Sequence, residues 1–293
     1  MTISETNNNQ YKLIIGRHVP VKSPHSLSGA VKEAVSYDAN ALMIYLGAPQ
    51  NSRRRPLAEL KIDEFKMTLN EKVIDINNVV VHGPYVVNLA NTSREEIFHW
   101  SVEFLKKEVA RMEEIGLKTL VLHPGSAVNT PTEEALTQVV KGINLVLEKS
   151  SAVRIALETM CGRGSEVGIN FEQLKYIIDR VERKERVGVC WDTCHLYTAG
   201  YDIKNNLEAV IKEFEEKIGL KKLWVIHVND SLNELGAKID RHENIGYGKI
   251  GFEALKRIVY HPKFDGKIKL LETPRKREEF QEEIRLLKGQ LNP

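Results

Sequence analysis

The chain has 293 residues, 42% of them hydrophobic and 28% charged, with a formal net charge of +2 at pH 7. That length suits one large domain, close to the ~250 residues of a typical α/β barrel, and needs no disulfide or metal for stability alone. The balanced charge excludes a wholesale polycation but not a local basic patch. Three cysteines with no CxxC pair argue against a secreted disulfide framework and for a reducing cytosol.

In chain order, the polar stretch Met1 to Gln10 reads as a flexible tail, and residues 11–293 as one catalytic domain. Eight short apolar runs follow: Leu13–Ile15, Ala41–Leu46, Val79–Val81, Thr119–Leu122, Val153–Leu157, Val187–Trp191, Leu223–Ile226 and Ile268–Leu271. Their length and polar boundaries predict parallel strands covered on both faces.

The segments between them carry helix signals. Ser93 with Glu96 reads as a capping box ahead of an apolar face made by Phe98, Val102, Leu105, Val109 and Met112, with Gly116 placed to stop that helix. Thr130, Pro131 and Glu133 predict an N-cap, a first-turn proline and a capping glutamate. Asn170 and Gln173 open a further helix, with Phe171, Leu174, Ile177 and Val181 on one face. Eight alternating units predict a single-domain (β/α)8 barrel, an open doubly wound sheet being the alternative. No run approaches the ~20 apolar residues of a membrane span, so a soluble, cytoplasmic and monomeric protein is expected.

The chemistry collects at the strand ends. His82, His123, Glu158, Asp192, His227 and Glu272 close strands three to eight, 34 to 45 residues apart, one βα unit each time. In a barrel all six meet at the C-terminal mouth. One such residue is readily a hydrogen-bonded loop side chain; six in succession, all of metal-binding type, are not six accidents. His195 lies just past strand six, and Asp240 and His242 lie in the long loop after strand seven. Nine candidate ligands, with one carboxylate bridging, can serve three ions. Imidazole mixed with carboxylate suits zinc, with manganese or iron as alternatives. Such a mouth lowers the pKa of bound water from 15.7 to roughly 7 and clamps phosphoryl oxygens, which points to phosphodiester hydrolysis.

Other residues carry weaker signals. The loop after strand two contains Arg53, Arg54 and Arg55, cations suited to backbone phosphates or to a solvated surface. Tyr85 is placed to stack on a base or a sugar, or to pack on a neighbouring loop. Arg275, Lys276 and Arg277 extend the basic rim or open an exposed helix. His18 is a candidate to support the ligands from behind. His25, His99 and His261 read as surface or structural, and Cys190 and Cys194 as packing residues.

These residues stand in a recognisable set of motifs: His82-Gly83-Pro84-Tyr85, Leu122 to Ser126, Leu157 to Gly162, Cys190-Trp191-Asp192-Thr193-Cys194-His195, His227 to Ser231, Asp240 to Gly246, and Leu271 to Pro274. Together they resemble the endonuclease IV family of zinc-dependent apurinic/apyrimidinic endonucleases over nearly the whole chain. The resemblance implies a TIM barrel and three zinc ions. The first would be held by His82, His123 and Glu158, and the second by the bridging Glu158 with Asp192, His227 and Glu272. His195, Asp240 and His242 would hold the third. It further implies incision of duplex DNA 5′ to an abasic site, leaving a 3′-hydroxyl and a 5′-deoxyribose phosphate, and trimming of 3′-blocked ends. A hydroxide shared by the two ions at Glu158 is the expected nucleophile. Tyr85 matches the family's DNA-contacting tyrosine. The family's stack-inserting arginine falls near Asn51, so Arg53 or Arg54 is expected in its place. The chain also departs from the family at Pro20 and in Thr159 to Gly164, neither of which holds a ligand. Two rivals remain: a sugar isomerase or epimerase, which would need fewer ions, and a non-catalytic lesion-binding protein.

Overall fold

The computed structural model describes residues 11–274 and 279–289. Eight parallel strands close into a barrel: β1 (Ile14–His18), β2 (Ala41–Ile44), β3 (Val79–His82), β4 (Thr119–Leu122), β5 (Arg154–Glu158), β6 (Val187–Asp192), β7 (Leu223–His227) and β8 (Ile268–Leu271). Each pairs with its neighbour in sequence, and β8 pairs with β1 to shut the ring. The alternative of an open sheet is thereby excluded.

Alternation along the strands divides the core in two. Ile14, Met43, Val80, Val121, Ala156, Cys190, Val225, Ile268 and Leu270 fill the barrel interior. Ile15, Leu42, Val81, Leu120, Leu157, Trp191 and Leu271 face outward into the helical layer. At Gly16 a Cβ would lie 1.7 Å from the Ala41 carbonyl oxygen, so β1 and β2 can approach only because that position carries no side chain.

The helices are α1 (Ser26–Ser36), α2 (Ile62–Glu71), α3 (Glu95–Ile115), α4 (Thr132–Leu147), α5 (Phe171–Arg180), α6 (Thr193–Ala199), α7 (Leu207–Lys217), α8 (Phe252–Val259) and α9 (Phe280–Leu287). The apolar face of α3 is buried as the spacing predicts, and Gly116 ends the helix at φ +94°. Asn170 caps α5 by accepting the Gln173 N–H, and the Gln173 side chain reaches back to the Gly168 and Ile169 N–H groups.

Two expected caps are corrected. Ser93 does not cap α3: Asn91 Oδ1 collects the N–H groups of Ser93 and Arg94 and the Ser93 hydroxyl, and Glu96 pairs with Arg94 instead. The local Asx turn competes for the serine and wins. Thr130 donates its hydroxyl to Ala127, so Pro131 becomes the N-cap and α4 starts one residue later than expected.

The strand ends matter more to the site. His82, Glu158, Asp192 and His227 are the last residues of their strands, within the ladder, while His123 and Glu272 follow β4 and β8 directly. Backbone pairing therefore sets the direction of four of the six side chains. No helix among the described residues is long and apolar enough to cross a membrane. The tail at residues 1–10 and the Arg275, Lys276 and Arg277 cluster lie outside the described residues.

Candidate metal centre

The barrel mouth brings all nine proposed ligands together. Potential donor atoms of His82, His123 and Glu158 lie within 4.8 Å of one another. The same holds for Glu158, Asp192, His227 and Glu272, and again for His195, Asp240 and His242. Glu158 belongs to two sets because its oxygens diverge. Oε2 faces His82 Nε2 at 3.0 Å and His123 Nε2 at 3.1 Å, while Oε1 faces His227 Nδ1 at 3.1 Å. His227 Nδ1 is also 3.1 Å from Glu272 Oε2.

Hydrogen bonds behind the cluster set the imidazole tautomers. His82 Nδ1 donates to the Gly83 carbonyl at 2.7 Å, His195 Nδ1 to that of Thr159 at 2.9 Å, and His242 Nδ1 to that of Glu272 at 3.2 Å. A carbonyl only accepts, so each Nδ1 carries its proton and leaves Nε2 for a ligand. His195 Nε2 and His242 Nε2 are buried without a hydrogen bond, yet lie 3.2 and 3.4 Å from Asp240 Oδ1. Ring nitrogens and a carboxylate that converge without hydrogen-bond geometry suit a cation set between them. The donor set fits borderline transition ions.

Electrostatics point the same way. Burial would raise the Glu158 carboxyl, but His227 and His123 more than offset it and hold it well below the usual carboxylate range. Burial likewise opposes charge on Glu272, and His227 keeps it ionised. Burial would lower His195, yet Asp192, Asp240 and Glu158 raise it well above an ordinary imidazole. His227 is raised against burial by Cys190, Glu272 and Glu158.

Several supporting residues escape the sequence reading. Asn229, fully buried, donates Nδ2 to Asp192 Oδ2 at 2.7 Å and accepts the Glu272 N–H at 2.7 Å. Thr193 fixes Asn229 by exchanging hydrogen bonds with its backbone. Tyr45 packs its ring 5.1 Å from those of His18 and His82 and donates its hydroxyl to Tyr85 at 2.8 Å. Each is an ordinary residue whose role depends on a partner distant in sequence, so no spacing announces it.

The remaining candidates separate. Tyr85 is 56% exposed at the rim, its ring 5.7 Å from that of His123. Arg53 is exposed and lines a cavity of about 670 Å³ that His18, Tyr45 and Asn51 also border. Arg54 is instead pinned: Nε meets Glu108 at 2.8 Å, and the guanidinium lies over Phe104. Arg55 reaches the Val21 carbonyl. His18 is turned toward the cluster side, with burial pushing it down to about 4. His99 pairs with Glu95 on the surface, and His261 with Glu208. Cys194 is buried and near Asp192 and His242, but its thiol donates to the Arg241 carbonyl and burial pushes its pKa up.

A closed barrel whose mouth gathers three adjoining ligand sets, two of them sharing Glu158, defines the class of metal-binding (β/α)8 proteins. A profile of the family described as "Xylose isomerase-like TIM barrel" matches residues 31–290. The chain belongs to the endonuclease IV family. It is 50% identical over 264 residues to "Probable endonuclease 4" of Acholeplasma laidlawii, covering 89% of this chain and 90% of that one. The protein of the same name from Geobacillus kaustophilus is 46% identical, with 95% of each chain covered. The crystal structure of endonuclease IV from Thermus thermophilus superposes with a TM-score of 0.82 at 30% identity, covering 94% of this chain and 97% of that one. A D-tagatose 3-epimerase-like protein shares the fold alone, at a TM-score of 0.67 and 22% identity.

Proposed function

We propose that the chain is a DNA-repair endonuclease that hydrolyses the phosphodiester 5′ to abasic sites in duplex DNA and trims blocked 3′ ends. It would act as a cytoplasmic monomer holding three zinc ions. The observation that carries this reading is Glu158, whose two oxygens face two different ligand sets with a third set beside them.

The first ion would be held by His82, His123 and Glu158, the second by Glu158, Asp192, His227 and Glu272, and the third by His195, Asp240 and His242. Bound there, such ions supply Lewis acidity toward phosphoryl oxygens and a water acidic enough to ionise near neutral pH. The chain's own residues do the rest. Asn229 and the three backbone carbonyls hold donor atoms in place before substrate arrives, which removes reorganisation from the reaction. Tyr85 offers a ring to the sugar or the neighbouring base, and Arg53 a guanidinium to a backbone phosphate. An abasic nucleotide leaves the stack more readily than an intact one because it has less stacking to lose.

Glu158→Gln tests the reading. The variant keeps size and removes the charge that faces His123 and His227. Incision of a duplex carrying an abasic analogue should fall to background while circular dichroism stays that of the wild type. An active, folded variant would contradict the bridging role.

A further inference from the structure

The carboxylate next to Asn229 belongs to none of the ligand sets, yet it is fully buried. Asp230 Oδ1 accepts the N–H groups of Ser231 at 2.8 Å and Ile250 at 3.0 Å. Oδ2 accepts those of Gly246 and Gly248, each at 3.0 Å, and both oxygens lie 3.2 Å from the Gly251 nitrogen. Five backbone donors converge on one anion, making a nest that folds residues 246–251 around it. The chain is tight there: a Cβ on Gly248 would stand 2.4 Å from the Ser231 carbonyl oxygen and 2.5 Å from Asp230 Oδ1.

The nest opens directly onto the third ligand set. Asp230 and Ser231 form a two-residue strand that pairs antiparallel with His242 and Glu243, in the register Asp230 with Glu243 and Ser231 with His242. Further bonds run from Leu232 N to the Arg241 carbonyl and from Lys249 N to the Ser231 carbonyl. Asp240 and His242 thus sit on a loop whose return arm is held by the Asp230 carboxylate. Unlike His82 and His227, they receive no direction from the barrel ladder. A loop segment without such an anchor moves easily, because few buried contacts restrain it.

We propose that Asp230 is a positioning residue for the third metal site, acting through the 246–251 nest to hold Asp240 and His242 against His195. The proposal rests on the three-ion reading above. It predicts that damage to the nest costs the third ion while the other two, whose ligands stand on or directly after strands β3 to β8, stay bound.

The test is metal content of the full-length, zinc-loaded protein, measured against a graded series of competing chelator. Asp230→Asn removes the charge, and Gly248→Ala crowds the same loop while leaving the carboxylate intact. Both variants should lose one ion at a chelator concentration about 10- to 100-fold below that needed for wild type, the range usual for residues that orient ligands. Two ions should persist with the wild-type profile. If Asp230→Asn fails to fold, Gly248→Ala carries the comparison. Variants that melt at lower temperature but keep all three ions at wild-type affinity would overturn the proposal and leave the three-ion reading standing. A wild type that holds fewer than three ions, with none lost on His195→Ala, would remove the third site and the proposal with it.

Discussion

Arg54 Nε lies 2.8 Å from Glu108 Oε1, with both side chains less than a tenth exposed, so the loop after β2 is bolted to α3 by a buried ion pair. Arg53, one residue earlier, has its side chain in solvent at the cavity rim. Two adjacent arginines therefore have different work. Glu108→Ala leaves a buried guanidinium unpaired and should cost about 3–5 kcal/mol of stability, read by denaturant unfolding. Arg53→Ala should leave stability unchanged, weaken duplex binding for all sequences alike, and reduce the slope of log affinity against log salt by about 1. Equal stability losses for Glu108→Ala and Arg53→Ala would contradict this division.

Tyr85 combines an exposed ring with a hydroxyl that accepts from Tyr45. Tyr85→Ala should weaken binding of abasic duplex by about 1–3 kcal/mol, the range for a lost stacking platform. Tyr85→Phe keeps the ring and should cost only about 0.5–1.5 kcal/mol, that of one hydrogen bond. Fluorescence anisotropy with an uncleavable analogue measures both. If Phe is as damaging as Ala, the hydroxyl rather than the ring is what the DNA meets.

Metal loading should release protons. His123, His195 and His227 are raised in the absence of an ion, whereas a ligating imidazole nitrogen must be free of its proton. Calorimetric zinc titrations at neutral pH in buffers of different ionisation enthalpy should report net proton release, and affinity should fall as pH falls. Heats independent of the buffer would count against the protonated cluster.

Lys269 is buried outside the barrel wall, where it donates to the Phe264 carbonyl at 2.6 Å and the Tyr11 hydroxyl at 2.9 Å. Burial lowers its pKa from 10.5 to about 8. Below pH 8 both folded and unfolded chains carry the charge, and the desolvation cost is fully present. Between 8 and 10.5 the unfolded chain binds more protons, so this group's contribution to stability rises with pH. At about 1.4 kcal/mol per unit the cost is on the order of 3 kcal/mol. Lys269→Met leaves the Phe264 carbonyl with the Lys267 N–H and the Tyr11 hydroxyl with the Val259 carbonyl. It should therefore stabilise the protein at pH 7, with the advantage shrinking toward pH 10.5. A variant that is less stable at pH 7 would show that the ammonium contributes more than its burial costs.

The ligands are legible in the chain because a barrel repeats: one histidine or acid per βα unit is a pattern in the sequence itself, and closure turns it into a cluster. What stays hidden depends on contacts between distant segments. Nothing local distinguishes Arg54 from Arg53 until Glu108 is brought alongside. Asn229 and Asp230 sit just past a ligand at a strand end, and their partners lie up to 43 residues away along the chain. Ser93 and Thr130 match capping patterns, but nearer hydrogen-bond partners claim their hydroxyls.

The most direct measurement is incision of a labelled duplex with one abasic analogue, by protein as purified, after chelation, and after zinc is restored. The account predicts a single nick 5′ to the lesion with a 3′-hydroxyl that a polymerase extends, lost on chelation and regained with zinc. An intact duplex in all three samples, alongside metal-dependent epimerisation of a ketose, would contradict it.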